Sequence, residues 1–377
     1  MDSMTLEALG RAKRIVLKFG SSLIIDPVSG EARSSWLASV AADVVKARLA
    51  GQHIVIVSSG AVALGRGALG LPPGKLKLEE KQAAAAAGQV RLMAAWGEAF
   101  APHKTAVAQA LVTPDDTERR RRWLNARATL DTLLACGAVP VVNENDTVAT
   151  DELRYGDNDR LAARVAQMVG ADALILFSDV DGLYDADPRD NPKARHIGEV
   201  RDISPAIDAM AGGINQKAGV GSGGMRTKIE AARIATAAGC AVAITDGLAD
   251  HPFGRLIAGG RASWFIPAAD RESARRAWLG HSLNPAGSFC IDAGAAKALK
   301  AGASLLPIGV RTVEGQFERG DAIAIKDDHG RILAHGISAY SSSDAQQILG
   351  RHSDEIEDIL GYAGRPALVH RDDLVLS

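Results

Sequence analysis

The chain has 377 residues and a formal net charge of −2, long enough for two domains and too nearly neutral for whole-molecule charge to draw it to nucleic acid or an anionic membrane. Its three cysteines, Cys136, Cys240 and Cys290, lack CxxC spacing, which argues against a disulfide framework or a zinc site and fits a reducing cytoplasm. No long apolar run precedes the first predicted strand and none approaches a membrane span, so a cytoplasmic protein without a signal peptide is expected.

In chain order, β-branched apolar runs predict strands at RIVLKF (14–19), HIVIVS (53–58), TAVAQALV (105–112), AVPVVN (138–143), DALILFS (172–178) and AVAIT (241–245). Most are apolar throughout rather than alternating, as strands covered on both faces are. Between them lie helical stretches: SSWLASVAADVVKARLAG, EEKQAAAAAGQVRLMAAWGEAF, RRWLNARATLDTLLACG, DRLAARVAQMVG and MRTKIEAARIATAAG. Several end at glycine, a common helix stop. Strand and helix in alternation predict an α/β domain over 1–265, an open, mainly parallel sheet sandwiched by helices. A linker helix is expected over 266–282. Short strands with turn signals over 283–365 predict a small β-rich domain, followed by a C-terminal tail, 366–377. Residues 283–377 carry 9 Lys/Arg against 13 Asp/Glu, a net of −4.

In such a sheet, ligands sit beyond the carboxyl ends of the strands. The residues that follow the predicted strands there are polar or glycine: Lys18-Phe19-Gly20-Ser21-Ser22, Ser58-Ser59-Gly60, Asn143-Glu144-Asn145-Asp146 with Gly156-Asp157-Asn158-Asp159 after it, and Ser178-Asp179. A further stretch, GVGSGGMRTKIEAARIA (219–235), is a glycine-rich loop running into a helix, a phosphate cradle in type. It is not a Walker A loop, because Met225, Arg226 and Thr227 separate Gly224 from Lys228. DVDGLYDADPRDNP does not have the spacing of a calcium-binding loop. The run Arg119–Arg122 reads as a solvated helix face.

The ordered motifs VLKFGSSLI, VIVSSGAVALG, VPVVNENDTVATDELRYGDND, FSDVDGLYDADPR and GSGGMRTKIEAA resemble those of the amino-acid kinase superfamily. The likeness is nearest to its branch that phosphorylates glutamate at the start of proline synthesis. ASLLPIGVRTVEGQFERGDAIAI and ILAHGISAY resemble a PUA domain, a small β-barrel. The aspartokinase pattern KFGG[TS]S has one more glycine than KFGSS here, and the acetylglutamate and UMP kinases lack the C-terminal barrel. The resemblance implies transfer of the γ-phosphoryl group of ATP to the glutamate γ-carboxylate, giving glutamyl 5-phosphate and ADP. It implies catalytic roles for Lys18, Lys228 and Asp159, and substrate contacts from Ser59, Asp146 and Asn158. It places Lys18, Gly20, Ser178, Asp179, Ser222, Gly223, Gly224, Met225, Arg226, Thr227 and Lys228 at the nucleotide. Mg²⁺ would arrive with ATP, held by phosphate oxygens and water with no dedicated protein ligand. Feedback inhibition by proline, a functional link to glutamyl phosphate reductase and assembly into dimers or tetramers are implied as well.

Two competing readings follow from the same residues. The acceptor could be another carboxylate, a carbamate or UMP, within the same superfamily. The chain could instead bind RNA through its C-terminal domain, against which the net −4 counts, since phosphate contacts need Lys and Arg; a regulatory or assembly role suits that domain better.

Overall fold

The computed structural model describes residues 9–148, 158–212, 224–269, 273 and 285–376. They divide into two compact units, Met1–Arg271 and Glu272–Ser377. In the first, an eight-stranded sheet runs in the order β3-β4-β2-β1-β5-β9-β10-β8. These strands are β1 (Arg14–Phe19), β2 (His53–Ser58), β3 (Val107–Val112), β4 (Val139–Glu144), β5 (Ala173–Ser178), β8 (Glu199–Val200), β9 (Ala241–Asp246) and β10 (Ala262–Phe265). From β3 to β9 every neighbour is parallel; β10 is antiparallel to β9 and parallel to β8. A two-stranded antiparallel ribbon of β6 (Leu183–Tyr184) and β7 (His196–Ile197) follows β5.

Apolar side chains on both faces explain the parallel sheet. In β1, Ile15, Leu17 and Phe19 pack in one layer with Trp36, Leu92 and Trp96, from the helices Ser34–Leu49 and Leu78–Phe100. Val16 faces the opposite layer with Leu161, Val165 and Ile229, from the helices Asn158–Val169 and Met225–Ala237. Successive side chains alternate across a strand, so Lys18 falls on the Val16 side. That parity aims the one charge of β1's carboxyl half at the N-termini of those two helices.

The predicted elements sit within a residue or two of their expected places. β3 begins at Val107 rather than 105, and β4 extends through Glu144. The very short strands β6, β7 and β8 were not expected, nor was β10. The expected linker helix, 266–282, falls mostly outside the described residues; Ser273 is helical. The alanine run 83–87 lies where two helices pack closely. The helices Ala61–Ala68 and Leu78–Phe100 approach through Gly65 and Gly88, where an added Cβ would lie 1.7 Å from the carbonyl oxygens of Ala84 and Ala61 respectively.

The second unit is a five-stranded mixed sheet, β12-β11-β13-β14-β15. It comprises β11 (Gly287–Ile291), β12 (Val310–Gly315), β13 (Ala322–Lys326), β14 (Ile332–Ile337) and β15 (Leu374–Leu376). Phe289, Ile323, Ile325, Tyr340 and Leu368 pack in its core. Strand richness matches expectation, though among the described residues the hydrogen-bonded order runs from edge to edge without closing a barrel. Residues 366–376 are not a tail. Val369 bridges Leu305, Leu368 and Val369 are fully buried, and β15 adds to β14 with Ala334 opposite Leu376. A run as short as LVL, set after a charged RDD, carries too little pattern to be read as a strand.

Gly88→Ala is expected to lower the stability of the first unit by about 1–3 kcal/mol, because backbone cannot yield to the new methyl. Gly67→Ala, in the same helix as Gly65 but with open space around it, is expected to be neutral or to stabilise by up to about 1 kcal/mol. Thermal melting of the two variants checks the pair.

Candidate active site

Because β1, β2, β4 and β5 are parallel, their carboxyl ends share one edge of the sheet. Lys18 is the fifth of six residues in β1, level with Val57 of β2 and Leu176 of β5. Asp159 lies in the first turn of the helix Asn158–Val169, and Lys228 in the first turn of Met225–Ala237. Lys18 Nζ is 2.5 Å from Asp159 Oδ1 and Lys228 Nζ is 3.0 Å from Asp159 Oδ2. Asp159 is completely buried and each lysine is 5% exposed. Burial pushes the Asp159 carboxyl up, but the two ammoniums beside it outweigh burial and hold it at about 2. Thr227 Oγ1 lies 3.1 Å from Asp159 Oδ2 and 2.8 Å from the Gly224 carbonyl oxygen.

The cluster is costly by design. Two cations and one anion leave one net positive charge out of water, which is expensive unless compensated. Lys228 also sits at the positive end of its helix dipole, where cations are disfavoured and anions favoured. Such an arrangement suits a bound group with several anionic oxygens. At Gly20 an added Cβ would lie 3.9 Å from Lys18 Nζ, an ordinary contact distance, so Gly20 lies directly beside that ammonium.

A second, uncharged network lies beside it. Asn158 Nδ2 donates to Ser59 Oγ at 2.8 Å and to Asn143 Oδ1 at 3.0 Å. Asn143 Nδ2 donates to Gln89 Oε1 at 2.9 Å. Both Asn158 amide hydrogens are thus committed within the protein, leaving its Oδ1 as the acceptor it offers. Ser59, which accepts, keeps its own O–H to donate. Behind Ser59, the indole of Trp96 donates to Ser58 Oγ at 3.0 Å. Asp146 lies on the rim of a cleft of about 420 Å³ that also contains Gln89 and Glu144.

The remaining expected nucleotide residues are distributed unevenly. Ser178 is buried at the end of β5 with its Oγ 3.1 Å from Asp179 Oδ1, and Asp179 is exposed. Gly224 caps the Met225–Ala237 helix in extended conformation. The Met225 side chain does not join the site; it is 4% exposed in the core with Ile229 and Leu161, as expected of a thioether at the start of an amphipathic helix. The Arg226 side chain is 82% exposed and faces Glu230 at 3.5 Å. Ser222 and Gly223 lie outside the described residues. Two residues of the site were missed. Asn143 follows a predicted strand but has no role among the expected contacts, and Gln89 lies in the helical stretch EEKQAAAAAGQVRLMAAWGEAF with none. Its signal was present: Ala85, Gln89, Leu92 and Trp96 follow a helical repeat, so Gln89 is a polar residue on an apolar face.

Residues 13–246 match the model of the amino acid kinase family, and residues 287–360 match that of the PUA domain. The chain belongs to the amino acid kinase family. Its curated relatives in that family include a glutamate 5-kinase of Caulobacter vibrioides, 57% identical over 377 residues and all of both chains. Another is a glutamate 5-kinase of Paramagnetospirillum magneticum, 56% identical over 371 residues, 98% of this chain and 100% of the relative. A third, glutamate 5-kinase 1 of Rhizobium meliloti, is 54% identical over 98% of this chain and 94% of its own. The family's kinase part therefore contains both the charged cluster and the amide network.

Asp159→Asn removes the carboxylate that both buried ammoniums face and is expected to destabilise the first unit by about 3–5 kcal/mol in denaturant unfolding. The folded pKa of about 2 lies below the ordinary carboxylate value of 3.8. The stabilisation from the ionised group is therefore complete above about pH 4 and is lost as pH falls through 2. An acid titration of stability is expected to show this loss in the unsubstituted protein and to lack it in Asp159→Asn.

Proposed function

We propose that the chain transfers the γ-phosphoryl group of ATP to the side-chain carboxylate of glutamate, giving glutamyl 5-phosphate and ADP, the first step of proline synthesis. The observation that carries this reading is the buried Lys18–Asp159–Lys228 cluster, with its net positive charge at the carboxyl edge of the sheet. The full-length relatives named glutamate 5-kinase support glutamate as the acceptor.

The nucleophile is a carboxylate with an ordinary pKa near ~4.3, already ionised at neutral pH, so no general base is needed. The barrier is electrostatic: an anion must approach an anionic triphosphate. Positioning and positive charge then do the catalysis. Lys228, one turn into its helix, faces the phosphoryl group in transit, and Lys18 meets it from β1. Asp159 holds both ammoniums in place without neutralising them. Ser59 donates and Asn158 accepts without adding a repelling charge, and Asp146 receives the substrate ammonium. Both Asp159 oxygens face lysines, so Mg²⁺ arriving with ATP would be held by phosphate oxygens and water and would supply charge neutralisation there. No helix among the described residues is long and apolar enough to cross a membrane. Proline as feedback inhibitor, delivery of the labile acyl phosphate to glutamyl phosphate reductase, and a dimeric or tetrameric state belong to the same reading and rest on the motif resemblance.

ADP release with Mg-ATP is expected with glutamate and not with N-acetylglutamate, aspartate, carbamate or UMP. Lys228→Ala is expected to lower kcat about 10²–10³-fold. Turnover with another acceptor would keep the phosphate site and overturn glutamate. A proline titration is expected to inhibit competitively with glutamate; an unchanged rate would remove the feedback assignment.

A further inference from the structure

The cleft beside the amide network contains a donor with nothing to donate to. Gln89 is 8% exposed and its Nε2 is buried with no hydrogen-bond partner among the described residues. Leaving a buried amide N–H unmet costs about 1–3 kcal/mol, and native structures rarely keep such a group without a use.

The orientation of this amide follows from one backbone hydrogen. Glu144 N, which can only donate, lies 2.9 Å from Asn143 Oδ1. Asn143 must therefore present oxygen to Glu144 and Asn158, and its Nδ2 to Gln89. Gln89 must answer with Oε1. Its Nε2 is then the end left over. Gln89 is one of the residues lining the roughly 420 Å³ cleft, with Glu144 and Asp146, the neutral polar Gln109, Asn145 and Thr147, and apolar groups such as Ala85, Met93 and Leu111; of these neutral amides and hydroxyls, Gln89 Nε2 is the buried donor without a partner.

Among the described residues, the titratable side chains lining that cleft, Glu144 and Asp146, are both acids. They suit an ammonium and repel a carboxylate. The head group of an α-amino acid carries both on one carbon, so a site that takes the ammonium there needs a neutral donor within reach for the carboxylate. We infer that Gln89 is a substrate-binding residue whose Nε2 donates to the α-carboxylate of glutamate while Asp146 takes the ammonium. This rests on the glutamate reading above and adds to it the group that recognises the α-carboxylate. The γ-carboxylate is left to extend past Ser59 and Asn158 towards the lysine cluster.

Steady-state kinetics of Gln89→Met, which keeps length and removes the donor, tests the assignment. The glutamate KM is expected to rise about 10- to 100-fold, the loss of a hydrogen bond to a charged group. The kcat is expected to stay within about threefold, and the ATP KM to be unchanged. The inhibition constant of 4-aminobutyrate, which is glutamate without its α-carboxylate, is expected to be the same in both proteins. An unchanged glutamate KM overturns the proposal. So does an equal loss of 4-aminobutyrate binding, or a loss confined to kcat or to ATP, since these mark a merely structural role. Gln89→Leu carries the same comparison if the methionine variant melts below the assay temperature. Failure of the unsubstituted chain to turn over glutamate overturns the activity itself, and is visible before any variant is made.

Discussion

Everything at the sheet edge is arranged around one electrostatic constraint: positive charge must be kept dry and in excess. Two lysine ammoniums, each 5% exposed, face one carboxylate with no exposure at all. Removing that carboxylate would take from both ammoniums the charge that holds them side by side. The placement of the surrounding elements follows. β1 must put an even-numbered residue on the layer that contains the Asn158 and Met225 helices, and both helices must begin where β1 ends.

The uncharged half of the site depends on a different constraint, backbone proximity. The contact through Gly65 and Gly88 lets the Ala61–Ala68 and Leu78–Phe100 helices touch main chain to main chain. That fixes how Gln89, the next residue along, meets the ends of the strands. From Gln89 the amides of Asn143 and Asn158 pass to Ser59, so the long helix, β4, the Asn158 helix and the turn after β2 are held by one chain of hydrogen bonds. With every amide in that chain fixed by its neighbour, the groups left over at its ends are the ones available to a ligand.

Much of this was legible in the residues. Runs such as RIVLKF and DALILFS are short, β-branched and mostly apolar rather than alternating, as strands covered on both faces are. The order of the polar stretches after them located the edge, and Lys18, Asp159, Lys228, Ser59 and Asn158 do come together there. What could not be read depends on information absent from local sequence. The fate of Met225 depends on the rotation of its helix, which points the first side chain to the core. Thr227 was expected at the nucleotide, while its hydroxyl lies against Asp159, a contact across 68 residues. β15 escaped notice because three residues carry no period. Gln89 was hidden by its company, since a run of alanines draws attention to helix packing and away from the single amide on the packed face.

The three charges are supplied by distant parts of the chain, Asp159 and Lys228 lying 69 residues apart and Lys18 near the beginning of the first unit. The strand that bears Lys18 is itself held between β2 and β5. During refolding, the local helices can form early, whereas the cluster must wait for the most non-local pairings in the unit. The three charges therefore meet only when the sheet is complete, and their contact is a stricter gauge of completed folding for this chain than recovered helicity.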